Sequence, residues 1–285
     1  MASLEIIDRL DGLAENYSAI LCDVWGVIHN GVRAFEPAVE ALQRARQAGK
    51  AVVLITNAPR PFGPVIEQLR SLGVPDDAYD AVVTSGDVTR SLIETGPRKI
   101  FHLGPDRDMT LYDGLDVEVV EEFEAAGVVC TGLFDDRTET PDDYTDLLQR
   151  LRARDLPFIC ANPDIVVERG DTMIYCAGAL GRAYSQLGGR TQIAGKPYHP
   201  IYEATLAKAS EVLGRPVGVK DALAIGDGLM TDVKGAAGMG IDLLFVTDGI
   251  HASEYGESGR PDPERLAHYM ASHGFAPVAA TVRLR

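Results

Sequence analysis

The stretch "AILCDVWGVIHNG" (residues 19–31) decides the fold. Its apolar run has the length of a buried strand, and it delivers Asp23 to the start of a glycine-containing turn. In α/β proteins the functional site lies where the carboxyl ends of parallel strands converge. Two residues after Asp23, where a second acid would help a carboxylate nucleophile, the chain has Trp25. The stretch therefore predicts a buried strand that presents a candidate nucleophile with an unusual neighbour, and it leaves open whether the chain is a catalyst or only keeps the scaffold of one.

Further short apolar runs follow along the chain, many of them rich in Val and Ile and ending in Gly, Asn, Asp or Thr. This pattern predicts buried parallel strands with functional loops at their carboxyl ends. The runs are "AVVLITN" (51–57), "DAVVTSG" (80–86), "KIFHLG" (99–104), "GVVCTGL" (127–133), "PFICANP" (157–163), "TMIYCAGA" (172–179), "TQIAGK" (191–196), "ALAIGDG" (222–228) and "DLLFVTDG" (242–249).

Amphipathic segments between these runs predict helices, because their apolar residues recur at helical spacing and several end at a glycine. The alternation of the two patterns predicts an α/β fold with a Rossmann-like, doubly wound parallel sheet. The middle of the chain has its own alternation, so we expect an inserted α/β domain at 86–190 within a core formed by 1–85 and 191–285. The helical segments are 36–50, 61–73, 141–155 and 199–214, followed by a terminal helix within 251–274.

Composition narrows the class of protein. The chain has 285 residues, of which 46% are hydrophobic and 24% charged, and this is typical of a soluble globular protein. Its formal net charge of -15 disfavours nucleic acid and anionic membranes as partners. No run reaches the roughly 18 apolar residues of a membrane span. The four cysteines are not in C-x-x-C pairs, so we expect buried, reduced thiols in a cytoplasmic protein; they are Cys22, Cys130, Cys160 and Cys176.

Three acids on predicted strand ends form a candidate metal site. Asp23 ends the first run, Asp227 ends "ALAIGD", and Asp232 follows about one helical turn later. Carboxylate oxygens are the hard ligands that Mg²⁺ prefers. Each acid alone could equally be a turn or helix-capping residue, and the order of the set carries the prediction.

Candidate donors for a phosphoryl group lie on two other strand ends. Thr56 and the backbone N–H of Asn57 end the second run, and Lys196 follows "TQIAG". Backbone N–H groups and a lysine can hold a phosphate, and a carboxylate beside a metal can attack phosphorus to form an aspartyl-phosphate. A Thr-Asn pair is also common in turns, and a lone lysine is usually a surface residue.

Four motifs in this order resemble those of the haloacid dehalogenase (HAD) superfamily: "LCDVWGV" (21–27), "LITNAP" (54–59), "GKP" (195–197) and "IGDGLMTDV" (225–233). The segments "TNAPR", "ANPD", "CAGAL" and "GKPYHPIYEATL" resemble its class IIA, NagD-like branch. The resemblance covers about residues 17–250. It implies a Rossmann-like core with a C2-type cap domain inserted between the second and third motifs.

The resemblance also implies roles for particular residues. Asp23 would be the nucleophile and a Mg²⁺ ligand. The other metal ligands would be the carbonyl of Trp25, Asp227 and, directly or through water, Asp232. Thr56, Asn57 and Lys196 would bind the phosphoryl group, with Lys196 also stabilising charge on the nucleophile. Asn162 and Asp164 in "ANPD" (161–164) would face the substrate, although the same residues suit a simple Asn-Pro-Asp turn.

Trp25 departs from the family pattern, in which phosphatases usually carry an aspartate that protonates the leaving oxygen and activates water. The indole N–H is only a donor, and loss of general acid–base help typically costs about 10²–10⁴-fold. Three alternatives follow. Another group supplies the proton, with His29 and Asp164 as candidates, or a good leaving group relaxes the need. The chemistry differs from phosphate-ester hydrolysis. Or the protein binds a phosphorylated ligand with little turnover.

We therefore predict a Mg²⁺-dependent HAD-type hydrolase that acts on a small phosphorylated metabolite through an aspartyl-phosphate on Asp23. The alternatives are a catalytically weakened scaffold that binds such a metabolite and a HAD hydrolase of other chemistry. The resemblance also allows a homodimer formed through the cap, which no residue pattern requires.

Overall fold

The structure is a computed structural model that describes residues 4–169, 172–249, 252–257 and 259–285. Its strands are β1 (Ala19–Asp23), β2 (Ala51–Thr56), β3 (Ala81–Thr84), β4 (Lys99–Leu103), β5 (Glu118–Val119), β6 (Gly127–Cys130), β7 (Phe158–Cys160), β8 (Val166–Arg169), β9 (Thr172–Tyr175), β10 (Thr191–Ile193), β11 (Ala222–Gly226), β12 (Asp242–Val246), β13 (Gly256–Glu257), β14 (Arg260–Pro261) and β15 (Ala279–Thr281).

The α-helices are α1 (Asp11–Ala14), α2 (Glu36–Gln47), α3 (Phe62–Ser71), α4 (Ser85–Glu94), α5 (Thr145–Ala153), α6 (Ala177–Gln186), α7 (His199–Leu213), α8 (Lys234–Met239), α9 (Ala252–Tyr255) and α10 (Pro263–Ser272). Short 3₁₀ turns occupy Asp76–Ala78, Asp106–Tyr112, Glu122–Glu124, Pro141–Tyr144 and Val219–Asp221. A single π-helical turn, Leu229–Val233, joins β11 to α8 in the described residues.

The largest sheet has six strands in the order β15-β12-β11-β1-β2-β3. The chain runs outward from β1 to β2 and β3 on one side, and from β11 to β12 and β15 on the other. β1 is paired in parallel with both β2 and β11, and every residue of these three strands is buried. Burial on both faces explains why these strands read as continuous apolar runs rather than alternating ones. The predicted α/β, doubly wound parallel sheet is confirmed.

A second parallel sheet has five strands in the order β10-β7-β6-β4-β5. The chain divides into two compact units, each containing one of these sheets. The first unit comprises Met1–Thr56, Ile66–Val83 and Tyr202–Arg285, and the second unit comprises Asn57–Val65 and Thr84–Ile201. The boundaries inferred from the sequence, 86–190 within 1–85 and 191–285, stay a prediction.

One predicted element is wrong. The run "TMIYCAGA" (172–179) was expected to form a buried parallel strand, yet β9 pairs antiparallel with β8 in a two-stranded hairpin. Ile174 is buried, whereas Met173 is 55% exposed and Tyr175 is 39% exposed. This is the alternation of a one-sided strand, which a run of apolar letters conceals. The second half of the run, from Ala177, already belongs to α6.

None of the helices formed by the described residues combines the length and the apolar character needed to cross a bilayer. All four cysteines are free and buried, as expected from their apolar surroundings. Burial raises the pKa of the Cys160 thiol to about 12, so this thiol is protonated and unreactive at neutral pH.

The core of the second unit is built around two stacked rings. Phe158 and Tyr184 lie with their ring centroids 4.8 Å apart at an interplanar angle of 23°. The Tyr184 hydroxyl donates a hydrogen bond to the Leu156 carbonyl at 2.6 Å, which satisfies its polar atom inside the core. The pair joins α6 to β7 and closes the apolar layer on that face of the sheet.

We expect Phe158→Ala to destabilise the protein by about 3–5 kcal/mol, because it removes a fully buried ring and leaves a cavity. Phe123→Ala is the matched control, since Phe123 is 76% exposed and lies in the same unit. Urea unfolding measures both. Equal losses in the two variants would contradict the assignment of Phe158 to this core.

Candidate active site

Three buried carboxylates gather at the carboxyl edge of the six-stranded sheet. One ligand oxygen from each of Asp23, Asp227 and Asp232 lies within 4.8 Å of the others. The register explains this: Cys22 pairs with Ile225, so β1 and β11 end side by side, and Asp227 follows β11 directly. Carboxylates this close and this buried repel one another when ionised, and a bound cation reduces that repulsion. Their oxygens match the ligand preference of Mg²⁺, so the residues fit such an ion.

Asp232 is held by the turn that carries it. The Gly228 N–H donates to Asp232 Oδ2 at 3.1 Å, and the Thr231 hydroxyl donates to the same oxygen at 3.3 Å. A Cβ on Gly226 would overlap the Asp232 side chain. The π-helical turn therefore places the Asp232 carboxylate against the end of β11. The sequence "GDGLMTDV" predicts an ordinary helical turn here and gives no sign of the π-helical one.

Two glycines that the sequence did not single out enclose Asp227. A Cβ on Gly26 or on Gly249 would overlap the Asp227 carboxylate. Gly26 also has a φ of +78°, which side chains rarely adopt. The loop after β1 therefore passes directly over the carboxylate cluster, and the only sequence signal for it was the Trp-Gly step after Asp23.

Trp25 packs within its own loop. Its indole makes an edge-to-face contact with His29, with ring centroids 4.9 Å apart at 74°. It also lies against Gly31, where a Cβ would be 2.6 Å from Trp25 Cζ3. The side chain is half-buried, and the loop is closed by the Gly26 N–H, which donates to the His29 carbonyl at 2.9 Å.

His29, considered above as a substitute proton donor, is 1% exposed. Its Nδ1 accepts a hydrogen bond from the Gly31 N–H at 3.0 Å. Burial lowers the pKa of His29 to about 4, so the ring is neutral near pH 7. These features suit a structural loop histidine and not a general acid.

In the second unit, the carboxamide of Asn57 joins two loops. Its Nδ2 donates to Asp164 Oδ1 at 2.8 Å and to the Lys196 carbonyl at 3.3 Å, while its Oδ1 accepts from the Lys196 N–H at 2.7 Å. Lys196 itself is 2% exposed and precedes a cis proline, Pro197. Asn57, expected to bind phosphate through its backbone N–H, thus also uses its side chain to position the loop of the predicted lysine.

The segment "ANPD" (161–164) forms the turn that its composition allows. Asn162 Oδ1 accepts a hydrogen bond from the Asp164 N–H at 3.0 Å, which is an Asx turn. A Cβ on Gly178, at the start of α6, would overlap the backbone of this turn. Asn162 therefore shapes the turn, and Asp164 Oδ1 reaches Asn57. A contact between residues 107 positions apart has no signal in a single sequence.

Thr56 ends β2 and is buried, as its position in the second motif required. The structure thus gathers Asp23, Asp227 and Asp232 in the first unit, and Asn57, Asp164 and Lys196 in the second unit. The substrate and metal roles assigned to these residues remain predictions.

Gly26→Ala tests the packing around Asp227. We expect it to weaken divalent-cation binding by at least about tenfold, because the new methyl group displaces a carboxylate of the cluster. Gly49→Ala is the matched control: its φ of +80° imposes the same backbone strain, but nothing lies within 4 Å of the added Cβ. Calorimetric titration with Mg²⁺ measures both. Equal affinities in the two variants would show that Gly26 has no bearing on the cluster.

A charge exchange tests the Asn57 contact. We expect Asn57→Asp to lower the free energy of unfolding by about 1–3 kcal/mol. The substitution replaces the Nδ2 amide, which donates to Asp164 Oδ1 and to the Lys196 carbonyl, by a carboxylate oxygen that can only accept. Adding Asp164→Asn supplies a donor to the new carboxylate, so the double variant should recover part of the loss. Asn30→Asp is the control, since Asn30 uses only its oxygen here, accepting from two backbone N–H groups. Purely additive free energies in the Asn57–Asp164 cycle would contradict the contact.

Comparisons with known proteins agree with the geometry. A family model described as haloacid dehalogenase-like hydrolase matches residues 20–118, and a second model of HAD-like hydrolases matches residues 193–272. A crystal structure of a haloacid dehalogenase-like hydrolase from Brucella suis 1330 is 57% identical, with a TM-score of 0.89, over 98% of this chain and 100% of that chain.

Two curated bacterial proteins are more distant relatives. The 5'-nucleotidase YutF of Bacillus subtilis is 25% identical over 85% of this chain and 91% of that protein. The ribonucleotide monophosphatase NagD of Escherichia coli is 24% identical over 81% of this chain and 88% of that protein. The carboxylate cluster and these similarities together show that the chain belongs to the haloacid dehalogenase-like hydrolases, in the neighbourhood of NagD.

Proposed function

We propose that this hydrolase is a Mg²⁺-dependent phosphatase that moves the phosphoryl group of a small phosphorylated metabolite onto Asp23. The observation that carries the proposal is the cluster of Asp23, Asp227 and Asp232, buried and within 4.8 Å, with Asp23 at the end of the central strand. The names of the relatives, a 5'-nucleotidase and a ribonucleotide monophosphatase, support a small phosphorylated metabolite as the general substrate class.

The proposed metal ligands are carboxylate oxygens of Asp23 and Asp227, the carbonyl of Trp25, and Asp232 directly or through water. The metal would neutralise charge on the phosphoryl oxygens and on the nucleophile. Asp232 is oriented by two hydrogen bonds donated to its Oδ2. A carbonyl ligand needs no particular side chain, so the tryptophan at position 25 is compatible with metal binding.

Thr56, the backbone N–H of Asn57 and Lys196 are the proposed phosphoryl-binding groups. Support for Lys196 comes from its burial and from the Asn57 carboxamide, whose Oδ1 accepts the Lys196 N–H and fixes the position of that backbone. Asn162 and Asp164 are proposed to face the rest of the substrate. We also propose that residues 86–190 form the C2-type cap and that the protein works in the cytoplasm. A homodimer formed through the cap is compatible with this proposal.

Trp25 favours a second candidate function, binding of a phosphorylated metabolite with little turnover. An indole cannot exchange a proton near neutral pH, and His29 is buried and neutral. Tight Mg²⁺-dependent binding of a phosphorylated ligand, without phosphate release from any substrate, would favour this candidate.

The test is phosphate release from a panel of phosphate esters and anhydrides, with Mg²⁺ or with EDTA. We expect release that requires Mg²⁺, that returns when excess Mg²⁺ is added to the chelated protein, and that falls by at least about 10³-fold in Asp23→Asn. Acid quenching and mass spectrometry should find phosphate covalently bound to Asp23. Asp116→Asn, at a side chain that is 92% exposed, is the control. Undiminished activity in Asp23→Asn would refute the nucleophile.

A further inference from the structure

The loop after the nucleophile places Trp25 beside the carboxylate cluster. Only Val24 separates Trp25 from Asp23 in the chain, and the next residue, Gly26, abuts the Asp227 carboxylate so closely that a Cβ would overlap it. The main chain of Trp25 therefore runs past two of the three carboxylates. Its half-buried indole belongs to the same loop as this stretch of main chain.

The indole is held rigidly in this position. It meets the His29 ring edge to face, with the centroids 4.9 Å apart, and also lies against Gly31. His29 in turn is fixed by the Gly31 N–H on its Nδ1 and by the Gly26 N–H on its carbonyl. His29 and Gly31 thus pack against the aromatic side chain, and it cannot turn aside without breaking these contacts.

This arrangement determines which groups near Asp23 could protonate a leaving oxygen. An indole N–H donates a hydrogen bond but does not act as an acid. His29 is 1% exposed beneath the indole, so it does not reach a substrate. The carboxyl groups gathered with Asp23 in the described residues, Asp227 and Asp232, are the ones assigned above to the metal. Neither this loop nor the carboxylate cluster therefore offers the leaving oxygen a proton donor.

A leaving group that needs no proton solves the problem. The pKa of an alcohol is roughly that of water, about 15.7. Its alkoxide is therefore a poor leaving group, and its departure depends on an acid catalyst. A carboxylate, with a pKa of about 4, or a phosphate, with a pKa of about 6, leaves as a stable anion.

We propose that the substrate of this hydrolase is a phosphoryl group on such an oxygen, an acyl phosphate or a phosphoanhydride, and that Trp25 is the residue that excludes ordinary alkyl phosphates. The proposal rests on the function proposed above, and it narrows the substrate class of the same site.

The chemistry balances without an acid. An Asp23 carboxylate oxygen forms a bond to phosphorus, the bond from phosphorus to the leaving oxygen breaks, and that oxygen keeps the electron pair and departs as an anion. Water then attacks phosphorus, and the bond to Asp23 breaks. The products are the Asp23 carboxylate and dihydrogen phosphate, which retains both protons of the water. The second step also lacks a base, so the phosphorylated Asp23 should accumulate.

The experiment compares three probes with the native protein and Mg²⁺: acetyl phosphate as an acyl phosphate, ADP as a phosphoanhydride, and glycerol 3-phosphate as an alkyl ester. Each rate is corrected for spontaneous hydrolysis. We expect kcat/KM for at least one anhydride to exceed that for the ester by about 10²-fold or more. Comparison of the first two probes distinguishes acyl from phosphoryl leaving groups. Covalent phosphate on Asp23 should be detectable during turnover.

Two variants separate acid supply from space. Trp25→Asp places a carboxyl group at this position and should raise ester hydrolysis by about 10²-fold or more while lowering the level of phosphorylated Asp23. Asparagine has nearly the size of aspartate but no acidic proton, so Trp25→Asn should not reproduce the gain in ester hydrolysis. Equal gains in both variants would overturn the proposal, because removal of the indole alone would then explain them.

The outcomes distinguish the proposal from the function on which it rests. Comparable kcat/KM for the ester and the anhydrides in the native protein would overturn the substrate class but keep the phosphatase. No phosphate release and no label on Asp23 with any probe would overturn both. The native measurement decides the question even if a variant fails to fold.

Discussion

The repulsion among Asp23, Asp227 and Asp232 is the constraint on which the rest of the site depends. Their oxygens lie within 4.8 Å in a buried place, where like charges interact far more strongly than in water. Folding creates this cost because β1 and β11 pair in register and end together. A cation bound at this cluster would reduce the repulsion, and this links the architecture of the sheet to the proposed metal site.

Glycines around the cluster leave space in which its carboxylates can pack closely. Gly26 and Gly249 leave room for Asp227, and Gly226 leaves room for Asp232. Hydrogen bonds from the π-helical turn then orient Asp232. In the second unit the Asn57 carboxamide does similar work for the backbone of Lys196. Close packing against glycines thus positions the reactive groups, as hydrogen bonds also do.

Much of the fold was predictable from local patterns. The helix expected at 36–50 is α2, which ends at Gln47 shortly before Gly49, whose φ of +80° favours glycine. The central strands were found because burial on both faces makes them continuously apolar. The same rule failed at "TMIYCAGA" (172–179), because an alternating hairpin strand with apolar residues on its exposed face looks like a buried one. The family resemblance, drawn from four motifs, is confirmed.

By itself the sequence determined the α/β class, the family and the identity of the acids at strand ends, because these depend on residue types and on short-range spacing. Tertiary structure alone decided which groups meet. The Asn57–Asp164 contact, the glycines that enclose Asp227 and the locking of Trp25 against His29 and Gly31 all depend on the path of the backbone through space. Such contacts join residues through turn geometry or across long stretches of chain, and a single sequence carries no periodic signal for either.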